Sequence, residues 1–128
     1  MIDTMQKIAI VEDDPSVGPM ISRALELEGF EPTVITDGTN AAEHVSGGDY
    51  AAAILDVMLP GKDGIEILQQ IRSEPRTKEL PVVMLSAKAD PFTTWDGWRE
   101  GANYFMKKPF DPDELVRVLR NVITDTGG

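Results

Sequence analysis

Apolar runs at residues 8–11, 52–55, 82–85 and 104–106 divide this chain, and each stops at a charged or hydroxyl side chain. Ile8-Ala9-Ile10-Val11 stops at Glu12-Asp13-Asp14. Ala52-Ala53-Ile54-Leu55 stops at Asp56, Val82-Val83-Met84-Leu85 at Ser86, and Tyr104-Phe105-Met106 at Lys107-Lys108. Short unbroken apolar runs suit strands buried on both faces, as in a parallel sheet. Thr33-Val34-Ile35-Thr36, closed by Asp37-Gly38, reads as one more short strand.

Helical spacing fills the gaps. Val17, Met20, Ile21, Ala24 and Leu25 recur on one face after Pro15, which suits a first helical turn, and Gly29 is a natural stop. Residues 39–46 form a weak short helix ended by Gly47-Gly48. Ile67, Leu68 and Ile71 mark a third helix beginning near Gly64. Asp90-Pro91 opens a fourth, carrying Trp95 and Trp98, that ends at Gly101. Asp111, Pro112 and Glu114 resemble a capping box ahead of Leu115, Val118, Leu119, Val122 and Ile123, an amphipathic last helix. Strands alternating with helices predict an α/β fold, a doubly wound five-stranded parallel sheet with helices on both faces. Strand order 2-1-3-4-5 is the common solution, with a crevice where the order reverses between strands 1 and 3. Residues 7–123 make one domain on this reading, after an extension at 1–6 and before a frayed tail at 124–128.

Composition narrows the function. The chain has 128 residues and a net charge of −10, from 22 acidic and 12 basic side chains. Such a balance argues against a nucleic-acid surface and favours cation binding. There is no cysteine, hence no disulfide and no thiolate metal site, which fits a cytoplasmic protein. No apolar stretch has the length of a membrane span, and residues 1–5 lack the features of a signal peptide.

In the predicted order, Glu12, Asp13 and Asp56 converge at the crevice. Three carboxylates there repel one another, and a hard cation bound through oxygen, such as Mg2+, is the natural compensation. Beside a cation, Asp56 can attack a phosphoryl group, as carboxylates do in aspartyl-phosphate chemistry. Lys108 can oppose the transferred oxygens with positive charge, and Ser86 can donate a hydroxyl hydrogen bond. Taken singly, Glu12-Asp13-Asp14 also reads as a solvated turn, Ser86 as a strand-end hydroxyl, and the two lysines as surface charges. The falling of all these types at strand ends favours a site. His44, the sole histidine, lies on the weakest helix and reads as a surface residue.

Val11-Glu12-Asp13-Asp14-Pro15, Leu55-Asp56 with Leu59-Pro60 and Asp63-Gly64, Ser86-Ala87, and Lys108-Pro109-Phe110 together resemble the receiver domain of two-component response regulators, a flavodoxin-like fold. The resemblance runs from about Lys7 to Ile123. It implies that Asp56 is the phosphoacceptor, that Asp13 and Asp56 bind Mg2+ directly beside Glu12, and that the Met58 carbonyl completes the protein ligands. It makes Ser86 the switch hydroxyl, Lys108 the lysine facing the phosphoryl group and Phe105 the switch aromatic, and it favours a cis Lys108-Pro109 bond. Met58 and Lys88 fall where the family tunes phosphoryl lifetime; neither positions an attacking water, which points to a long-lived phosphoryl group. The resemblance implies that phosphorylation remodels an output face made by the fourth helix, the fifth strand and the fifth helix, and Trp95 falls on that face as a candidate anchor for a partner.

The resemblance implies a histidine kinase or phosphotransfer protein as donor, and a downstream protein or output domain as target. It admits a homodimer linked to phosphorylation. With no output domain after Ile123, the chain reads as a stand-alone receiver or as a receiver cut from a larger regulator. Two other functions are weighed. An aspartate-nucleophile phosphatase resembles Asp-x-Asp at the strand end, and Met58 stands at the second carboxylate position. A receiver-like binding module that is never phosphorylated has no need of the acidic set, Ser86 and Lys108.

Overall fold

The computed structural model describes residues 5–59, 62–86 and 101–127. Five parallel strands, β1 (Lys7–Val11), β2 (Glu31–Ile35), β3 (Ala52–Asp56), β4 (Val82–Ser86) and β5 (Tyr104–Lys107), form one sheet in the order β2-β1-β3-β4-β5. The described helices are α1 (Val17–Leu27), α2 (Ala41–Ser46), α3 (Gly64–Ser73) and α4 (Pro112–Gly127), with a 3-10 turn at Gly38–Asn40. The predicted helix from Asp90, with Trp95, Trp98 and Lys88 just before it, lies outside the described residues.

The central strands β1, β3 and β4 are apolar runs because both faces are covered. β3 and β4 are buried at every position. Ala9, Val11, Ala53, Leu55 and Met84 pack with Val45 of α2 and Ile67, Leu68 and Ile71 of α3. Ile8, Ile10, Ile54, Val83, Leu85 and Met106 alternate to the other face, against Ile21 and Leu25 of α1 and Leu115 and Leu119 of α4. Side chains alternate along a strand, so one apolar run feeds two cores.

Three boundaries differ from the periodicity. β2 begins at Glu31, two residues earlier than Thr33, and includes Pro32. Glu31 donates its N–H to Gln6 and Ile35 accepts from Glu12, so odd-numbered residues face β1. Pro32 faces outward on an edge strand, where its missing N–H costs no ladder bond. α1 begins at Val17, not in a turn containing Pro15: Asp14 Oδ1 accepts from the Ser16 N–H and hydroxyl at 2.8 Å each and shapes the turn before the helix. Helical backbone runs on to Gly127, past Ile123 where the apolar spacing stops; no proline interrupts residues 124–127.

Candidate functional site

The strand order brings the carboxyl ends of β1 and β3 side by side, with Val11 opposite Leu55 in the ladder. Glu12 and Asp13 therefore follow β1 next to Asp56, the last residue of β3. Carboxylate oxygens of Glu12, Asp13 and Asp56 lie within 4.8 Å of one another. Glu12 and Asp56 are buried, at 1 % and 4 % exposure, whereas Asp13 is exposed.

Lys108 crosses to this cluster from the far edge of the sheet. Its Nζ donates to Glu12 Oε2 at 2.9 Å and to Asp56 Oδ2 at 3.0 Å. The Lys108 N–H donates to the Ser86 carbonyl at 2.7 Å, which holds the residue against the end of β4. The Lys108-Pro109 peptide is cis, as the resemblance favours. The neighbouring Lys107 is exposed.

Backbone donors hold the two buried carboxylates. Glu12 Oε1 accepts from the Asp14 N–H at 3.1 Å, and Asp56 Oδ1 accepts from the Met58 N–H at 3.1 Å. The Met58 side chain itself points into solvent. Burial raises the Glu12 carboxyl above its usual range; the hydrogen bond from Lys108 opposes this and the proximity of Asp56 adds to it. Burial acts against the charged form of Lys108, but hydrogen bonds and charge from Glu12 and Asp56 outweigh it and raise the ammonium above its usual value.

Gly64 is a contributor that periodicity reads only as a helix start. Its N–H donates to the Val57 carbonyl at 2.8 Å. A Cβ there would collide with the Asp56 carbonyl and stand 2.9 Å from Val57 Cα. Backbone thus packs on backbone directly behind the carboxylate. The available sign was Asp63-Gly64 at a helix start, where Asp63 caps the Ile65 N–H at 2.7 Å.

Ser86 ends β4, buried, at the same sheet edge. Phe105 lies opposite Met84 on β5 and packs, partly buried, on the core beneath α2 and α3. His44 is exposed and apart from the site, with its ring 6.4 Å from that of Tyr50. Among the described residues, three carboxylates face one ammonium, leaving a formal deficit of two positive charges. The donors are all hard oxygens and suit a divalent cation such as Mg2+.

Residues 8–120 match the response regulator receiver domain family. The chain belongs to that family. Among curated relatives, this receiver is 40% identical over 120 residues to the DNA-binding response regulator MtrA of Mycolicibacterium smegmatis, covering 93% of this chain and 51% of that protein. It is 40% identical over 114 residues to the transcriptional regulatory protein TcrA of Mycobacterium tuberculosis, covering 89% of this chain and 44% of that one. The receiver thus spans about half the length of the curated relatives it matches.

Solved structures agree in fold. The chemotaxis response regulator CheY4 of Vibrio cholerae superposes with a TM-score of 0.86 at 30% identity, over 93% of this chain and 99% of that one. The receiver domain of the sensor histidine kinase PA1611 of Pseudomonas aeruginosa, with a magnesium ion coordinated in its active-site cleft, gives 0.87 at 30%, over 94% and 99%. Among the described residues, no helix is long and apolar enough to cross a membrane.

Proposed function

We propose that this receiver is a phosphorylation-dependent switch that takes a phosphoryl group onto Asp56 from a histidine kinase or phosphotransfer protein of the cytoplasm. The observation that supports this most is the Lys108 ammonium bridging Glu12 and Asp56 within a cluster of three carboxylates. An Asp56 carboxylate oxygen attacks the phosphorus of a phosphohistidine. The P–N bond breaks, an aspartyl phosphate forms, and the leaving imidazole takes up a proton.

Glu12, Asp13, Asp56 and the Met58 carbonyl are the residues that would hold Mg2+. When bound, Mg2+ supplies the charge neutralisation that lets an anionic carboxylate meet an anionic phosphoryl group. Lys108 is already aimed at Asp56 and exchanges carboxylate for phosphoryl oxygen as its partner. Ser86 donates its hydroxyl to the phosphoryl group, and Phe105 follows from its partly buried position. The product is a shift between two arrangements of the face made by the predicted helix from Asp90, β5 and α4. Its size is set by the extra Lys108 and Ser86 contacts in the phosphorylated state. A downstream protein or output domain reads the shift, with Trp95 as a candidate anchor and a homodimer as one form of readout.

Receivers are regulatory, and turnover of a phosphate ester is not expected here: the Met58 thioether, exposed, has no proton to give or take. The test is intact mass after incubation with Mg2+ and acetyl phosphate, beside Asp56→Asn and a chelator control. One phosphoryl group gained by the wild type and by neither control supports the reading. No gain from acetyl phosphate or from a cognate kinase overturns it.

A further inference from the structure

Among the described residues, β5 is the shortest strand of the sheet and pairs only with β4. Burial fixes its register weakly: Tyr104 and Lys107 are exposed, Phe105 is partly covered, and Met106 alone is buried. A one-residue slip changes the face of every side chain and moves the strand by about 3.3 Å. Such a slip exceeds the 2.9 Å and 3.0 Å contacts that join Lys108 to Glu12 and Asp56. Something other than burial has to hold the register.

Asn103, one residue before β5, meets Val82 twice. Its N–H donates to the Val82 carbonyl at 2.9 Å, and its Oδ1 accepts from the Val82 N–H at 2.8 Å. The same Oδ1 accepts from Arg72 Nη2 of α3 at 3.1 Å. Arg72 is itself tied on both sides. Its Nε and Nη2 donate to the Gly101 carbonyl at 3.1 and 2.8 Å, and its Nη1 donates to the Thr77 carbonyl at 3.2 Å. The approach needs glycine at 101, whose φ is +100° and whose Cβ would lie 3.0 Å from Arg72 Nε. A planar guanidinium suits such a multiple clamp; a lysine ammonium does not.

We infer that Asn103, oriented by Arg72, is the pin that sets the register of β5 on β4 and so places Lys108 at the carboxylates. Both are positioning residues: they sit at the opposite end of the strand from Asp56 and touch no group of the site. The consequence for phosphoryl uptake rests on the function proposed above; the register itself does not.

The test compares amide exchange at two sites within one sample: the Lys108 N–H on the Ser86 carbonyl, and the Val57 N–H on the Leu85 carbonyl. General destabilisation speeds both alike, whereas loss of the pin speeds Lys108 selectively. Asn103→Leu is expected to raise the Lys108-to-Val57 rate ratio by about tenfold, and Arg72→Lys to raise it less. Asn103→Asp keeps an acceptor for both donors and is expected to stay near wild type. Uptake of phosphoryl from acetyl phosphate follows the same order. An unchanged ratio in both Asn103→Leu and Arg72→Lys, or a ratio in Asn103→Asp as high as in Asn103→Leu, overturns the pin. Should Asn103→Leu fail to fold, Arg72→Lys against Asn103→Asp decides it. Should the wild type take up no phosphoryl group, the function proposed above fails, while the exchange ratio still decides the pin.

Discussion

Lys108 and Asp56 are 52 positions apart in the chain and 3.0 Å apart in space, Nζ to Oδ2. The contact spans two strand positions of the sheet, from the end of β5 across β4 to the end of β3. It is the only cation in hydrogen-bond contact with the buried carboxylates among the described residues. Removing Lys108 therefore leaves Glu12 and Asp56, among the described residues, with their backbone donors but no opposing charge.

Lys108→Met is expected to destabilise the protein by about 1–3 kcal/mol, somewhat less than a fully buried pair because the lysine keeps some solvent. Its side chain is 20% exposed. Urea denaturation without divalent cation measures this, and a variant as stable as wild type would show that the pair adds nothing net.

Mg2+ is expected to stabilise the folded chain. A ligand that binds only the native state adds about 2.7 kcal/mol at a hundredfold excess over its Kd. Asp13 is exposed and holds no fold contact among the hydrogen bonds described, so Asp13→Asn should remove most of that increment and leave stability in chelator near wild type. Urea midpoints in Mg2+ and in chelator give both numbers; equal Mg2+ increments in the two proteins would refute the assignment of Asp13.

Gly64→Ala places a methyl group against the Asp56 carbonyl and Val57 Cα. Backbone cannot swing aside as a flexible side chain can, so the loop behind the carboxylate must move. A cost of about 1–3 kcal/mol is expected, together with slower phosphoryl uptake from acetyl phosphate. An unchanged urea midpoint with unchanged uptake would rule out this packing as a constraint on the site.

Asp37 gives a pH signature away from the site. Its carboxylate accepts the Thr39 N–H at 2.8 Å, and this hydrogen bond holds the carboxyl below its usual range in the folded state. A lowered carboxyl contributes stability above its unfolded pKa, and that contribution disappears as pH falls through the folded value. Asn at 37 keeps a capping oxygen and does not titrate. The stability of wild type relative to Asp37→Asn should therefore fall as pH drops through the carboxylate range and stay flat around neutral pH, measured by denaturation at both.

Much of the architecture was legible because both faces of the sheet are covered. Unbroken apolar runs such as Ala52-Ala53-Ile54-Leu55 have no other economical fate, and their alternation with helical spacing leaves few topologies. β2 was less legible. Pro32 argues against a strand unless its edge position and outward-facing N–H are known, and both belong to the sheet as a whole. The start of α1 was displaced for a similar reason: the Asp14 side chain, not Pro15, organises the turn.

The candidate site was legible as a set of residue types at strand ends, since Asp56, Glu12, Asp13, Ser86 and Lys108 each fall at or just past the end of an apolar run. Gly64 was legible only as part of the Asp63-Gly64 motif, and Arg72 was not legible at all. One acts by close backbone approach and the other through bonds to residues up to 31 positions away, and neither leaves a period in the sequence.

By itself, then, the sequence determined the layers, the strand order expected of right-handed crossovers, and the chemical inventory at the strand ends. Those follow from burial, helical period and residue chemistry, all of which are local. The tertiary structure alone decided that Lys108 spans from the sheet edge to two buried carboxylates, and how Asn103 and Arg72 meet the start of β5. Those depend on the register between distant strands, and register is set by hydrogen bonds between residues that no local pattern relates.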